Sequence, residues 1–282
     1  KMKFTLCFLA IIYSAVALPA HVTFETPDEL DLSKLVPNNI HVEPINSSHL
    51  DLPGSRIIGG AEVARNSIPY QVAVIINGNS LCGGSLISAS CVLTAAHCTI
   101  SASFVQVRLG AHYFNIEEET QVRVTSTSIK NHIYYSDVTF ANDISVILLP
   151  EEVNTNDNIQ VIPLAPTTAG TFEGSNGLLT GWGRTTDASN AASPTLRGVY
   201  VDVIGNNLCR TLFGSLITAF HLCTSGTGIV GGCTGDSGGP LVIDGVQVGL
   251  LSLSASTCEA GHPTVFSRIS NFRTWITENS GV

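Results

Sequence analysis

The sequence predicts an all-β protein whose apolar residues divide between two moderate cores. Short β-branched and apolar runs recur at Tyr70–Ile76, Gln121–Ser126, Ser145–Leu149, Gly198–Val203 and Val246–Leu253. Gly, Asn, Ser and Pro turns separate them, as strands in sequence are separated. Helical periodicity emerges only near the end, where Phe272, Trp275 and Ile276 share one face. A helix is expected there over about 270–280, with Ser270 as its N-cap. The 226 residues from Ile57 onward could bury one large core or two, and the spread of the runs favours two.

Taken in order, residues 1–17 read as a secretory signal. Lys1 and Lys3 precede an apolar run from Phe4 to Ala17 that ends in the small-residue site Ala15-Val16-Ala17. The run is too short to span a bilayer, and no other stretch approaches a membrane helix. An exported protein with no membrane span is therefore expected. Residues 18–56 carry Pro19, Pro27, Pro37, Pro44 and Pro53 and no cysteine, which reads as a pro-segment that no disulfide can tether. Asn46-Ser47-Ser48 in it is a glycosylation sequence.

From residue 57 the chain has nine Lys/Arg against sixteen Asp/Glu, and Lys130 is its one lysine. An acidic surface of this kind argues against nucleic acid as a partner. Of eight cysteines, Cys7 lies in the signal, which leaves an odd seven for an oxidising compartment. No CxxC or HExxH is present and the histidines are scattered, so no metal and no cofactor is expected. Glu117-Glu118-Glu119 is expected to be a solvated hairpin tip.

The chemistry gathers at three places. Gly235-Asp236-Ser237-Gly238-Gly239-Pro240 sets a serine in a glycine-dense turn, where backbone N–H groups can face an incoming carbonyl. A serine hydroxyl needs a base, and His97 in Leu93-Thr94-Ala95-Ala96-His97-Cys98 can act near neutral pH. The imidazole in turn needs its second nitrogen protonated and aimed, which Asp143 in Asn142-Asp143-Ile144-Ser145 would do. Arg56-Ile57-Ile58-Gly59-Gly60 adds a basic residue followed by an apolar new N-terminus.

With these motifs in the order His, Asp, Ser, the chain from Arg56 to about Trp275 resembles the chymotrypsin-like serine endopeptidases, of the invertebrate digestive chymotrypsin type. The resemblance implies two packed six-stranded antiparallel β-barrels, the first over about 57–160 and the second over about 161–268, with a short C-terminal α-helix. It implies a secreted zymogen cut after Arg56 by a trypsin-like protease, whereupon the Ile57 amine pairs with Asp236. His97, Asp143 and Ser237 are then the triad, and the N–H groups of Gly235 and Ser237 the oxyanion hole. Ser252 matches the serine that hydrogen-bonds the triad carboxylate. The family disulfides fall at Cys82–Cys98, Cys209–Cys223 and Cys233–Cys258. Cys91 is left over, as a buried thiol acting as a small hydrophobe.

By the same resemblance Gly231 lies at the base of the specificity pocket, where trypsin-like members hold an aspartate, and Thr264 and Ser254 line it. A pocket without a carboxylate disfavours a basic P1 side chain, because a buried cation needs a partner. Large apolar P1 residues are expected, with elastase-like or collagenolytic specificity as the alternative. Leu253, where the family usually has Trp or Phe, alters the wall of the next subsite. The expected partners are protein or peptide substrates, the activating protease and protein inhibitors of proteases, with the enzyme a monomer and digestion its setting. A non-catalytic homologue acting as an adaptor is the reading from another class; such proteins usually lose a triad residue, and all three are present here.

Overall fold

The structure, a computed structural model, describes Ile40–His41 and residues 57–282. The expected signal at 1–17, the glycosylation sequence at Asn46 and the cleavage position Arg56 lie outside the described residues. Fifteen strands and three α-helices are named here in chain order: β1 (Ile40–His41), β2 (Ala61–Glu62), β3 (Gln71–Ile76), β4 (Ser80–Ser88), β5 (Cys91–Thr94), α1 (Ala96–Thr99), β6 (Val105–Leu109), β7 (Val122–Ser126), β8 (Ser128–Asn131), β9 (Ser145–Leu148), β10 (Asn176–Gly181), β11 (Arg197–Ile204), α2 (Asn206–Phe213), β12 (His221–Thr224), β13 (Pro240–Ile243), β14 (Val246–Leu253), β15 (Thr264–Arg268) and α3 (Ile269–Ser280).

The strands form two antiparallel sheets. The first runs β7-β6-β3-β4-β5-β9-β8, and its two edge strands are separated in sequence by Thr127 alone. Counting β7 and β8 as one interrupted strand, six strands curl on themselves. The second runs β10-β13-β14-β15-β12-β11, and pairing of β10 with β11 closes it. Closure removes sheet edges that would otherwise present unpaired backbone groups. The five sequence runs all became strands, each with its ends moved by no more than a residue. The alternation in β11 decides its orientation: Arg197, Val199, Val201 and Val203 are buried while Tyr200 and Asp202 face solvent.

Three expectations are corrected. The apolar residues do not divide by barrel; the main cluster runs from Val72 and Val107 of the first barrel to Leu250 and Phe266 of the second, with two smaller clusters around Phe213 and around Trp182. Residues 57–62 do not belong to the first barrel: β2 pairs with β11, and Ile58 bridges to Gly231. Ile57 is fully buried and lies in the shared cluster, which holds the start of this segment at the second barrel. The C-terminal helix begins at Ile269, capped by Arg268 without a side-chain bond, so Ser270 lies inside it. Strand β15 runs straight into α3, leaving no room for a separate cap. Phe272 and Ile276 are buried as the periodicity required, and Gly281, at φ 77°, ends the helix. Helix α2 has no sequence forecast, although Cys209, Leu212 and Phe213 fall at helical spacing and pack into one cluster.

No described helix is long and apolar enough to cross a membrane.

Candidate active site

His97 sits in the single turn α1, directly after β5, and is 4 % exposed. Its ring Nδ1 lies 2.7 Å from Asp143 Oδ2, and its backbone N–H donates to Asp143 Oδ1 at 2.9 Å. Ser252 Oγ donates to the same Oδ2 at 2.6 Å. A carboxylate only accepts, so Nδ1 carries the imidazole proton and Nε2 keeps its lone pair. Asp143 is fully buried, yet three donors satisfy it, which is the condition for burying a charge.

Ser237 is fully buried, and its Oγ engages no hydrogen-bond partner among the described residues. The His–Asp half of the expected constellation is thus assembled, while the serine hydroxyl remains unpaired. In sites of this kind the nucleophile–base bond often tightens only around a substrate. Backbone packing fixes the turn itself. Gly83 N–H donates to the Ser237 carbonyl at 2.7 Å, and Thr94 Oγ1 donates to the Gly83 carbonyl at 2.8 Å. A Cβ on Gly238 would stand 2.2 Å from Thr94 Oγ1, so only glycine lets the turn lie against the segment leading to His97. Within the turn Asp236, Gly238 and Gly239 donate to Cys233, Leu251 and Asp236 carbonyls. The N–H groups of Gly235 and Ser237 donate to no described acceptor, which leaves a pair of free donors beside the hydroxyl.

Asp236, the residue before Ser237, points the other way. It is fully buried, accepting from Gly183 N–H at 2.7 Å and Cys233 N–H at 3.0 Å. Side chains at Gly181 and Gly183 would collide with its carboxylate, at 2.2 and 2.4 Å. Among the described residues it makes no ion pair, and burial pushes its carboxyl up to about 7, the two N–H bonds only partly opposing this.

Gly231 N–H donates to the Ile58 carbonyl at 3.2 Å, which lays the start of residues 57–62 along the segment assigned to the pocket. Gly231 has φ 155°, and a Cβ there would meet Thr264 Oγ1 at 2.8 Å. Gly231 and Thr264 therefore adjoin. Ser254 is 4 % exposed and Thr264 2 % exposed. No acid lies between Ile229 and Thr234.

Disulfides join Cys82–Cys98, Cys209–Cys223 and Cys233–Cys258. The first ties β4 to the turn carrying His97, and the third ties the serine turn to the loop after β14. Cys91 is free and buried in β5, where burial pushes its thiol up to about 12 and keeps it protonated. Two groups of possible metal ligands, Cys82 with His97 and Cys98, and Asp187 with Cys233 and Cys258, draw on sulfurs already held in disulfides. The solvated tip expected at Glu117-Glu118-Glu119 is corrected at its centre. Glu118 accepts from the N–H groups of His112 and Tyr113, both at 2.6 Å, and pairs with Arg65 at 2.9 Å. It is a loop brace, whereas Glu117 and Glu119 are exposed. Sequence reasoning also passed over Phe140, whose ring stands edge-on to His97 at a centroid distance of 6.3 Å. Its only signal was its place three residues before Asp143.

A sequence profile of the family described as Trypsin matches residues 57–276. Among curated proteins, Brachyurin of Leptuca pugilator is 41 % identical over 227 residues, covering 80 % of this chain and 99 % of that one. Chymotrypsin of Phaedon cochleariae is 37 % identical over 247 residues, covering 86 % and 88 %. A solved structure of HL collagenase superposes with a TM-score of 0.72 at 33 % identity, covering 80 % of this chain and 99 % of the collagenase chain.

Proposed function

We propose that this chain, which belongs to the trypsin family of chymotrypsin-like serine proteases, is a secreted zymogen that hydrolyses peptide bonds through His97, Asp143 and Ser237. The observation that carries this reading is the Asp143 carboxylate, which accepts a hydrogen bond from His97 Nδ1–H at 2.7 Å while Ser252 fixes the same oxygen. The arrangement leaves Nε2 as the free base. In the family's established mechanism, Nε2 takes the Ser237 proton as Oγ attacks the scissile carbonyl. The N–H groups of Gly235 and Ser237 receive the oxyanion, a stabilisation worth about 2.7–4 kcal/mol per donor in the transition state. The imidazolium then protonates the leaving amine, and water releases the acyl group by the reverse sequence.

Cleavage after Arg56 by a trypsin-like protease switches the enzyme on. The new Ile57 ammonium supplies the cation that the buried Asp236 carboxyl lacks, and this pairing orders the oxyanion turn. The pocket at Gly231, Ser254 and Thr264 is neutral, which suits large apolar P1 side chains. A second reading is favoured by the relatives: similarity to HL collagenase and Brachyurin supports a collagenolytic specificity. The protein acts as a monomer, in a digestive setting, and is met there by protein inhibitors. One experiment addresses both readings. The Arg56-cleaved protein is labelled with a fluorophosphonate and profiled on matched Phe, Leu, Ala and Arg peptides and on triple-helical collagen. Labelling confined to Ser237, with Phe and Leu preferred, is the expected result. Failure to label would sink the catalytic assignment, and collagen cleavage without aromatic preference would favour the second reading.

A further inference from the structure

We propose that Ser267 and His221, cross-strand partners in the second barrel, are positioning residues for Asp143, and that they act by holding the backbone of the first-barrel loop that carries it. The proposal rests on the protease reading above. It concerns residues that touch neither substrate nor the carboxylate, unlike Ser252.

The loop between β8 and β9 is an awkward carrier for a residue that must be placed accurately. Phe140 and Asn142 both adopt left-handed backbone, at φ 53° and 56°. For a bulky aromatic this is a genuine outlier, and such conformations persist only where the surroundings over-determine them. Bonds inside the loop, Asn142 Nδ2 to the Tyr134 carbonyl at 2.9 Å and Ser136 N–H to the Ala141 carbonyl at 3.1 Å, shape it without anchoring it to anything else.

The anchor comes from β12 and β15, where His221 stands opposite Ser267. Ser267 Oγ donates to the Asp143 backbone carbonyl at 2.8 Å, a fully buried bond across 124 residues of sequence. His221 Nδ1 accepts from both the N–H and the hydroxyl of Thr218, at 3.1 Å each. The ring proton therefore sits on Nε2, and the Phe140 backbone favours a protonated ring. Burial lowers the imidazole's affinity for a second proton; Asp143 opposes this and Arg268 reinforces it. Arg268 also fixes the strand, donating to the His221 carbonyl from Nη2 at 2.8 Å. Phe140, which shares an apolar cluster with Cys223 of β12 and Val265 of β15, stands edge-on to the His97 ring, and Asp143 meets that ring at Nδ1. The second barrel thus sets the first barrel's base as well as supplying the nucleophile.

The test uses the Arg56-cleaved protein and reads kcat, KM, the pH profile of kcat/KM and thermal stability. Ser267→Ala should lower kcat about tenfold, the rate equivalent of one neutral hydrogen bond, with KM within about twofold. Its acid limb should move to lower pH, because a misplaced Asp143 stabilises the His97 imidazolium less. Ser267→Thr, which keeps the hydroxyl, should restore both. His221→Phe keeps the ring and loses the Nε2 proton, so it should move the same limb by a smaller amount, and it serves if Ser267→Ala does not fold. A variant that melts earlier but keeps the parental kcat and acid limb would make these residues structural only and overturn the bracket. An inactive parent would overturn the protease reading, and the bracket with it.

Discussion

Among the described residues two aspartates lie fully buried, 93 residues apart in sequence, and their surroundings differ. Asp143 is met by a histidine ring, a backbone N–H and a serine hydroxyl. Asp236 is met by two backbone N–H groups, and burial raises its carboxyl to about 7. The first pocket is complete with the groups present. The second has acceptors satisfied but no cation among the described residues, and the proposed activation would supply one. On the proposed function the two pockets use the same residue type for opposite purposes, one to stabilise a charge now, the other to hold a place for one.

Breaking the complete pocket should have the largest effect. Asp143→Asn presents an amide to His97 Nδ1 and favours the wrong tautomer, for which the family's own template gives about a 10⁴-fold loss in kcat. Ser237→Ala should match or exceed it, with secretion and thermal stability unchanged. Steady-state kinetics on a Phe peptide checks both, and activity within tenfold of the parent would remove the triad assignment.

Breaking the waiting pocket should leave cleavage intact and block its consequence. Asp236→Asn has one acceptor oxygen for two N–H donors, and it cannot pair with the Ile57 ammonium. Trypsin should still cut after Arg56, while the cut product shows at least about a hundredfold lower kcat, the scale of a lost oxyanion donor. Gel analysis beside the activity assay separates the two steps, and full activity in the cut variant would refute the Asp236 role.

A third buried aspartate sharpens the comparison. Gly231→Asp places a carboxylate against Thr264 Oγ1, so the substitution must push that side chain aside and strain the backbone at φ 155°. Arg peptides should gain relative to Phe peptides by about tenfold in kcat/KM, since the cation now has a partner and the apolar ring buries an unpaired charge. The strain predicts a partial gain, and Gly231→Asp combined with Thr264→Ala should exceed it. A constant Phe-to-Arg ratio in a folded, probe-reactive variant would move Gly231 away from the pocket base.

Much of the site was legible because its chemistry is local in sequence. Gly235 to Pro240 and Leu93 to Cys98 each announce their role through short-range glycine and alanine spacing. What stayed hidden depends on contacts over long separations or on short elements. The role of Glu118 follows from Arg65, 53 residues earlier, and from two N–H groups that no triplet of glutamates reveals. Helix α2 shows its period over only two turns, at Cys209, Leu212 and Phe213. Ser270 reads as a cap until β15 is seen to run directly into α3. The main cluster that spans both barrels follows from closing two sheets against each other, which strand patterns within each cannot show.

The smallest effect expected is a difference in pH dependence between the uncut and cut chains. Asp236 in the folded chain holds its proton up to about 7, whereas an unfolded carboxylate releases it near about 3.9. Between these values the folded state binds more protons, so stability falls as pH rises. The contribution is fully present below the unfolded value and is lost as pH climbs through the folded one. His221 works in the other direction: burial holds its ring neutral, so stability falls as pH drops through the ordinary histidine range. That contribution is common to both forms and cancels in their difference. After cleavage the Ile57 ammonium should pair with Asp236 and remove the carboxyl's slope. Melting Ser237→Ala, which cannot digest itself, at pH 4.5 and 7.5 before and after the cut isolates the effect. The cut form should gain on the order of 3 °C over the uncut form on going to the higher pH. Equal pH dependence in the two forms would mean that the Ile57 amine does not reach Asp236.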